Sequence, residues 1–147
     1  MKRVKIYTAG AMKNIIFEEQ IKWRIALENC LKAFKDSRCE LVFIHPPYYY
    51  NYESHSQINE AEIKEYELNQ VRDSDIIVVN LNHINNSVGT HYELSYADAM
   101  NSFGHKHIYV IGIGSTANVH PWILSSLFRV EDSVESAANY IKEYLLV

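Results

Sequence analysis

The sequence predicts an α/β fold, a flavodoxin/Rossmann-like three-layer sandwich with a mostly parallel sheet of four to five strands. Three observations predict it. Short apolar runs alternate with helical segments along the chain, the order that yields parallel strands joined by crossover helices. The run Asp75–Leu81 (DIIVVNL) is apolar almost throughout, as in a strand covered on both faces. The 147 residues are 48% apolar and 22% charged, which suits a single domain, 1–147, with a real core and no disorder.

The elements follow in order. Val4–Ala9 (VKIYTA) is a β-rich run closed by Gly10. From about Asn14 to Phe34, Ile21, Ile25 and Leu31 alternate with Glu28 and Lys32 at helical spacing. Leu41–Ile44 is a second buried strand, stopped by His45-Pro46-Pro47. A long loop rich in Tyr, Asn and Ser runs to about Asn59; loops of that length are usually functional or mobile. Glu60–Arg72 reads as a charged helix and Asp75–Leu81 as a strand. Gly89–Phe103 is helical, Lys106–Ile113 a buried strand, and Pro121–Leu127 a short helix. Leu127–Val130 is the candidate fifth strand, and Ser133–Leu146 closes the chain as a helix. No internal repeat or low-complexity linker interrupts this order.

Charge and cysteine content exclude several classes. The net charge of −4 offers no basic surface for a nucleic-acid polymer. Cys30 and Cys39 lie nine positions apart, which is neither a disulfide framework nor a metal-ligand spacing. Reduced thiols in a cytoplasmic protein are the expectation. The start, Met1–Ile6, is basic but has no apolar stretch of signal-peptide length, and no run of about 18 apolar residues predicts a membrane span.

In such a fold, ligands bind at the C-terminal ends of the strands. That rule selects Thr8–Asn14, the loop after His45, Asn80–Glu93 and Gly112–Trp122. The segment Ser87–Ala97 (SVGTHYELSYA) follows the DIIVVNL strand and opens a helix. Gly89 permits close backbone approach to a ligand, and the free N–H groups of the helix start, around Thr90, favour an anion. Glu93 would lie in the first turn, where the helix field favours its ionised form, as a carboxylate nucleophile needs. Thr90 and Glu93 equally fit a T-x-x-E capping box, in which the Glu is structural.

The first strand-to-helix turn, Thr8–Asn14, contains Gly10 and Lys13, which suit a phosphate or ribose but also an ordinary turn. It lacks the G-x-G-x-x-G of dinucleotide sites. Glu67 reads on pattern alone as a solvated helix charge, although a second carboxylate near Glu93 would serve as general acid or base. Trp23 reads as core packing and Arg24 as a surface charge. The seven histidines show no H-E-x-x-H or paired ligand spacing, so no metal is expected, and no P-loop or G-x-S-x-G occurs.

These residues resemble the nucleoside 2-deoxyribosyltransferase-like superfamily, which includes deoxyribosyltransferases and nucleoside 5'-monophosphate N-glycosidases. The resemblance runs from KIYTAG (Lys5–Gly10) through ELNQVRDSDIIVVNL and SVGTHYELSYA to GHKHIYVI. The G-x-x-Y-E-L-x-x-A core after the strand is its most specific part. The resemblance implies that Glu93 attacks C1' to form a glycosyl-enzyme and that Tyr7 positions it. It places Glu67 where the family has an Asp tied to proton transfer at the base. Ser87, six residues before Glu93, matches the nucleotide hydrolases, where a Ser binds the 5'-phosphate; the transferases typically carry Asp there. A second carboxylate would repel phosphate, whereas a hydroxyl and helix N–H groups accept it. Lys13 falls near a family Arg that meets the phosphate. His120, followed by Trp122, falls where family members present a residue to the neighbouring subunit's site, which implies a homodimer or larger homo-oligomer.

The implied activity is cleavage of the N-glycosidic bond of a (deoxy)nucleoside 5'-monophosphate, with no metal or organic cofactor. The alternatives are a 2'-deoxyribosyltransferase acting on free nucleosides and, in another class, a non-catalytic nucleotide sensor. Tyr48–Tyr52 is expected to cover the base or to form a dimer contact.

Overall fold

The structure is a computed structural model, described over residues 2–33, 38–49 and 60–146. Tyr50–Tyr52, the outer part of the expected tyrosine cover, lie outside the described residues.

Five strands form one all-parallel sheet, β1 (Lys2–Ala9), β2 (Cys39–Ile44), β3 (Ile76–Asn80), β4 (Tyr109–Ile113) and β5 (Arg129–Glu131). Their spatial order is β2-β1-β3-β4-β5. The expected three-layer α/β fold is therefore present, with the candidate fifth strand in place. The helices between them are α1 (Phe17–Lys32), α2 (Glu60–Arg72), α3 (Val88–Ser102), the short α4 (Pro121–Ser125) and α5 (Val134–Tyr140).

Strand periodicity builds the two outer layers, because successive side chains point to opposite faces. Tyr7, Ala9, Ile77 and Val79 pack with Val71 of α2 and with Leu94 and Ala97 of α3. Ile6, Ile76, Val78 and Ile111 pack with Leu27 and Leu31 of α1 and with Ala137, Ala138 and Ile141 on the opposite face. Burying side chains such as these stabilises by about 1.5–3 kcal/mol each before the entropy of ordering is subtracted.

Several element ends differ from the sequence expectation: α1 begins only at Phe17, after Asn14 takes a left-handed φ of 63°, α4 ends at Ser125, β5 begins at Arg129, and two further differences have identifiable causes. β4 starts at Tyr109 and not at Lys106. The backbone of Ile108 is instead held by the Asn101 amide, which donates to its carbonyl at 2.8 Å and accepts from its N–H at 2.6 Å. The last helix ends in a π turn, Ile141–Leu145, with Leu146 N–H donating to Ile141 C=O. The wider turn brings Ile141 and Leu146, five apart, onto one buried face.

The connection after β1 leads to β2 on one side, while β3, β4 and β5 lie on the other. This reversal opens a crevice outside the C-terminal ends of β1 and β3, the place where open α/β sheets bind ligands.

Candidate active site

A cleft of about 350 Å³ occupies that crevice. Gly10 and Arg24 line it from the β1–α1 side, Lys64 and Glu67 from α2, and Ser87, Gly89, Thr90 and Glu93 from α3. Tyr7 lies beneath it, fully buried on β1.

Glu93 is not a capping residue. Ser87 is the N-cap of α3: its Oγ accepts from Thr90 N–H at 3.4 Å and lies 2.6 Å from the Thr90 hydroxyl. Counting from Val88, Glu93 falls in the second turn, which removes it from the T-x-x-E box and from the strongest part of the helix field. Burial decides its charge instead. It pushes the Glu93 carboxyl up to about 8, with the nearby Glu67 adding to the rise, while the Tyr7 hydroxyl and Arg24 pull it down. The expectation of a carboxylate held ionised by its helix thus gives way to a protonated form at neutral pH in the free protein.

Glu67 is no solvated helix charge. One turn of α2 carries it inward over β1, where Tyr7 donates a hydrogen bond to its Oε2. Tyr49, in the turn after β2, also hydrogen-bonds to it. Burial raises the Glu67 carboxyl, and the Tyr7 and Tyr49 bonds and Arg24 oppose that rise. Both phenols are themselves raised above their usual range by burial, so they stay protonated and donate. Oε1 of Glu67 and Oε2 of Glu93 are buried with no hydrogen-bond partner among the described residues. Leaving buried carboxyl oxygens unpaired costs free energy, and such groups concentrate at functional sites.

Arg24 corrects the sequence reading most sharply, because it is fully buried and not a surface charge. Its Nε donates to Thr8 Oγ1 at 3.1 Å, one terminal nitrogen to the Gln20 carbonyl, and the other to the Gly10 carbonyl at 3.4 Å. Trp23, half-buried, stacks beneath the guanidinium, with 4.7 Å between them. A Cβ on Gly10 would sit 3.1 Å from Trp23 and 3.4 Å from Arg24, so the glycine permits this close approach over the end of β1. Thr8 in turn lies 2.8 Å from His45 Nδ1, and His45 Nε2 lies 3.3 Å from Glu28. Burial lowers the His45 pKa, against the opposing pull of Glu28. In a neutral ring donating from Nε2 to Glu28, Nδ1 accepts the Thr8 hydroxyl hydrogen, for which the Ile44 carbonyl at 3.1 Å competes. Sequence inspection misses this network because Arg24 is flanked by residues of both polarities on a weakly amphipathic helix.

The remaining site candidates divide among separate clefts. Ser87, Gly89, Thr90 and Gly10 join Glu93 and Glu67. Lys13 lines a neighbouring cleft of about 440 Å³ with Asn80, Asn82 and His83. His120 and Trp122 line a third, between α3 and α4, where His120 Nδ1 accepts from Trp122 N–H at 3.1 Å. One chain alone does not bring Lys13, His120 or Trp122 to the carboxyl pair. Tyr48 packs edge-on against His45, and Tyr49 reaches Glu67, so at least one residue of the tyrosine stretch enters the site.

Among the described residues, no three His, Cys, Asp or Glu side chains converge as a metal site, and Cys30 and Cys39 are free thiols. No described helix is long and apolar enough to cross a membrane.

The fold and its cleft define an α/β three-layer protein with a carboxyl pair at the switch point. No protein-family model and no curated protein matches the sequence. Solved structures match in shape. A conserved protein from Enterococcus faecalis V583 superposes with a TM-score of 0.69 at 16% identity, over 96% of this chain and 98% of that one. The CMP N-glycosidase BcmB of Clostridium botulinum gives a TM-score of 0.56 at 16% identity, over 95% of this chain and 98% of its own. At these identities the likeness is one of fold, extending over nearly the whole length of each chain.

Proposed function

We propose that this protein is an N-glycosidase that cleaves a (deoxy)nucleoside 5'-monophosphate into free base and sugar phosphate. The observation that carries the reading is the pair of buried carboxyls, Glu93 and Glu67, with unpaired oxygens at the cleft and Tyr7 beneath them. The shared fold with a CMP N-glycosidase supports the same reading.

Two carboxyls of unlike role are what a retaining glycosidase needs. Ionised Glu93 attacks C1'; the bond to the base breaks, and its electron pair leaves with the base. Glu67 delivers a proton to that base. Water then attacks C1' from the vacated side, gives a proton back to Glu67, and releases the Glu93 carboxylate and the sugar phosphate. Splitting one displacement into two lowers the barrier of each. The phosphate is held by Ser87 and the N–H groups at the start of α3, where Gly89 leaves the backbone open. A neighbouring copy of the chain completes the site with His120.

Incubation with CMP, dCMP and other monophosphates, followed by analysis for free base and sugar 5-phosphate, tests the reading. Base exchange on free deoxynucleosides without action on monophosphates would favour the transferase. Binding of a monophosphate with no cleavage by the pure protein would favour the sensor.

A further inference from the structure

Arg24 is a fully buried cation whose three described hydrogen bonds go to neutral oxygens, those of Thr8, Gln20 and Gly10. A buried guanidinium without a counter-charge is strongly unfavourable. Arg24 belongs to the α1 face of the sheet, while Glu93 and Glu67 belong to the α2–α3 face, yet all three line one cleft. Gly10, at the top of β1, lies against Arg24 and lines the same cleft. The groups facing the pair are therefore Tyr7 from β1, Tyr49 from the turn after β2, and Arg24 from α1, with Lys64 of α2 at the rim. Among them Arg24 is the buried positive charge.

We propose that Arg24 is a positioning residue whose charge fixes the Glu93–Glu67 pair at one negative charge and one proton, shared across the Tyr7 hydroxyl. The inference rests on reading Glu93 as the attacking group. In the free protein the Tyr7 and Tyr49 hydrogen bonds favour the charge on Glu67, while burial favours the proton on Glu93. The reactive arrangement is the reverse. Glu93 passes its proton to the Tyr7 oxygen as Tyr7 passes its own to Glu67. No net charge moves in or out of the cleft, and the chain is left with one nucleophile and one acid. Without Arg24 the charged form of the pair keeps only the Tyr7 and Tyr49 hydrogen bonds, and the nucleophile is harder to ionise.

The test is titration of the free protein, with glutamate side chains labelled at the carboxyl carbon and followed by carbon NMR. The wild-type pair is expected to lose its two protons in separate steps, the later one near pH 8. In Arg24→Met the first loss is expected to move up by about one unit or more, and in Arg24→Lys to return toward wild type. An unshifted first step in folded Arg24→Met overturns the proposal. If Arg24→Met does not fold, Glu67→Gln decides: Arg24 then faces Glu93 alone, and Glu93 is expected to ionise below neutrality. A Glu93 that stays protonated at neutral pH in Glu67→Gln refutes the role of Arg24. None of these readings depends on turnover. An inactive wild type removes the N-glycosidase reading and leaves the titration result standing.

Discussion

The Tyr7 hydroxyl donates a hydrogen bond to the Glu67 carboxyl, joining β1 to α2 at the edge of the cleft that Glu93 lines. Its removal in Tyr7→Phe leaves the Glu67 carboxyl with Tyr49 as its remaining phenol donor. The expected loss of stability is about 1–3 kcal/mol in urea unfolding. Both carboxyls also lose a donor that lowers their pKa, so any pH–rate profile is expected to shift to higher pH. An unmoved profile in a destabilised protein would make Tyr7 a packing residue.

Glu93→Gln keeps the shape of the side chain and removes its charge and nucleophilicity. Turnover is expected to fall roughly 10⁴-fold or more, the scale seen when a covalent nucleophile is deleted. Circular dichroism is expected to remain that of the wild type. Retained activity would return Glu93 to a structural role.

The pH dependence of stability has a definite sign. The folded Glu93 carboxyl is raised to about 8 from its ordinary 4.5, so the folded state binds the proton more tightly than the unfolded chain. Its contribution is full below about pH 4.5 and is lost as pH rises through 8. Glu93→Gln lacks this loss. The variant is therefore expected to gain stability relative to wild type between pH 5 and pH 8, and to hold a constant lead above that window. Urea melts at several pH values check it; a difference that shrinks with rising pH would contradict the burial assigned to Glu93.

Ser87 has two separable roles. Ser87→Ala removes the cap of α3 and is expected to cost about 1 kcal/mol. Ser87→Asp keeps a capping side chain but sets a carboxylate where the phosphate is proposed to bind. Stability is expected to hold while KM for a monophosphate rises and that for a free nucleoside does not. Equal effects on both substrates would remove Ser87 from phosphate recognition.

The two cleft glycines are expected to behave oppositely. At Gly10 an added methyl meets Trp23 and Arg24, and Gly10→Ala is expected to destabilise by about 1–3 kcal/mol. At Gly89 it meets nothing within 4 Å, and Gly89→Ala in a helix is expected to stabilise by up to about 1 kcal/mol. Since that methyl points into space a ligand needs, KM is expected to rise. Thermal melts and steady-state kinetics on both variants measure the contrast.

The strands were legible in the sequence because their burial is written into consecutive apolar residues, and Ile76–Asn80 falls inside DIIVVNL. α2 was read to its ends, Glu60 and Arg72, since its charged composition contrasts with both flanks. Gly10, Ser87, Gly89, Thr90 and Glu93 could be gathered into one cleft because strand ends and helix starts converge by topology, whereas Glu67, in the middle of α2, was reached only through the family resemblance. What the linear chain determined, then, was the order of elements and the edge of the sheet where chemistry belongs. Only the tertiary structure decided which charges leave water. It buried Arg24 and sealed one carboxyl oxygen of Glu67, two residues that look solvated beside their neighbours in sequence, and it sent Lys13 and His120 to other clefts. The reason is physical: periodicity encodes which face of an element is apolar. Whether a single polar side chain is desolvated depends on groups that arrive from distant elements and on a gap such as Gly10 that lets them meet.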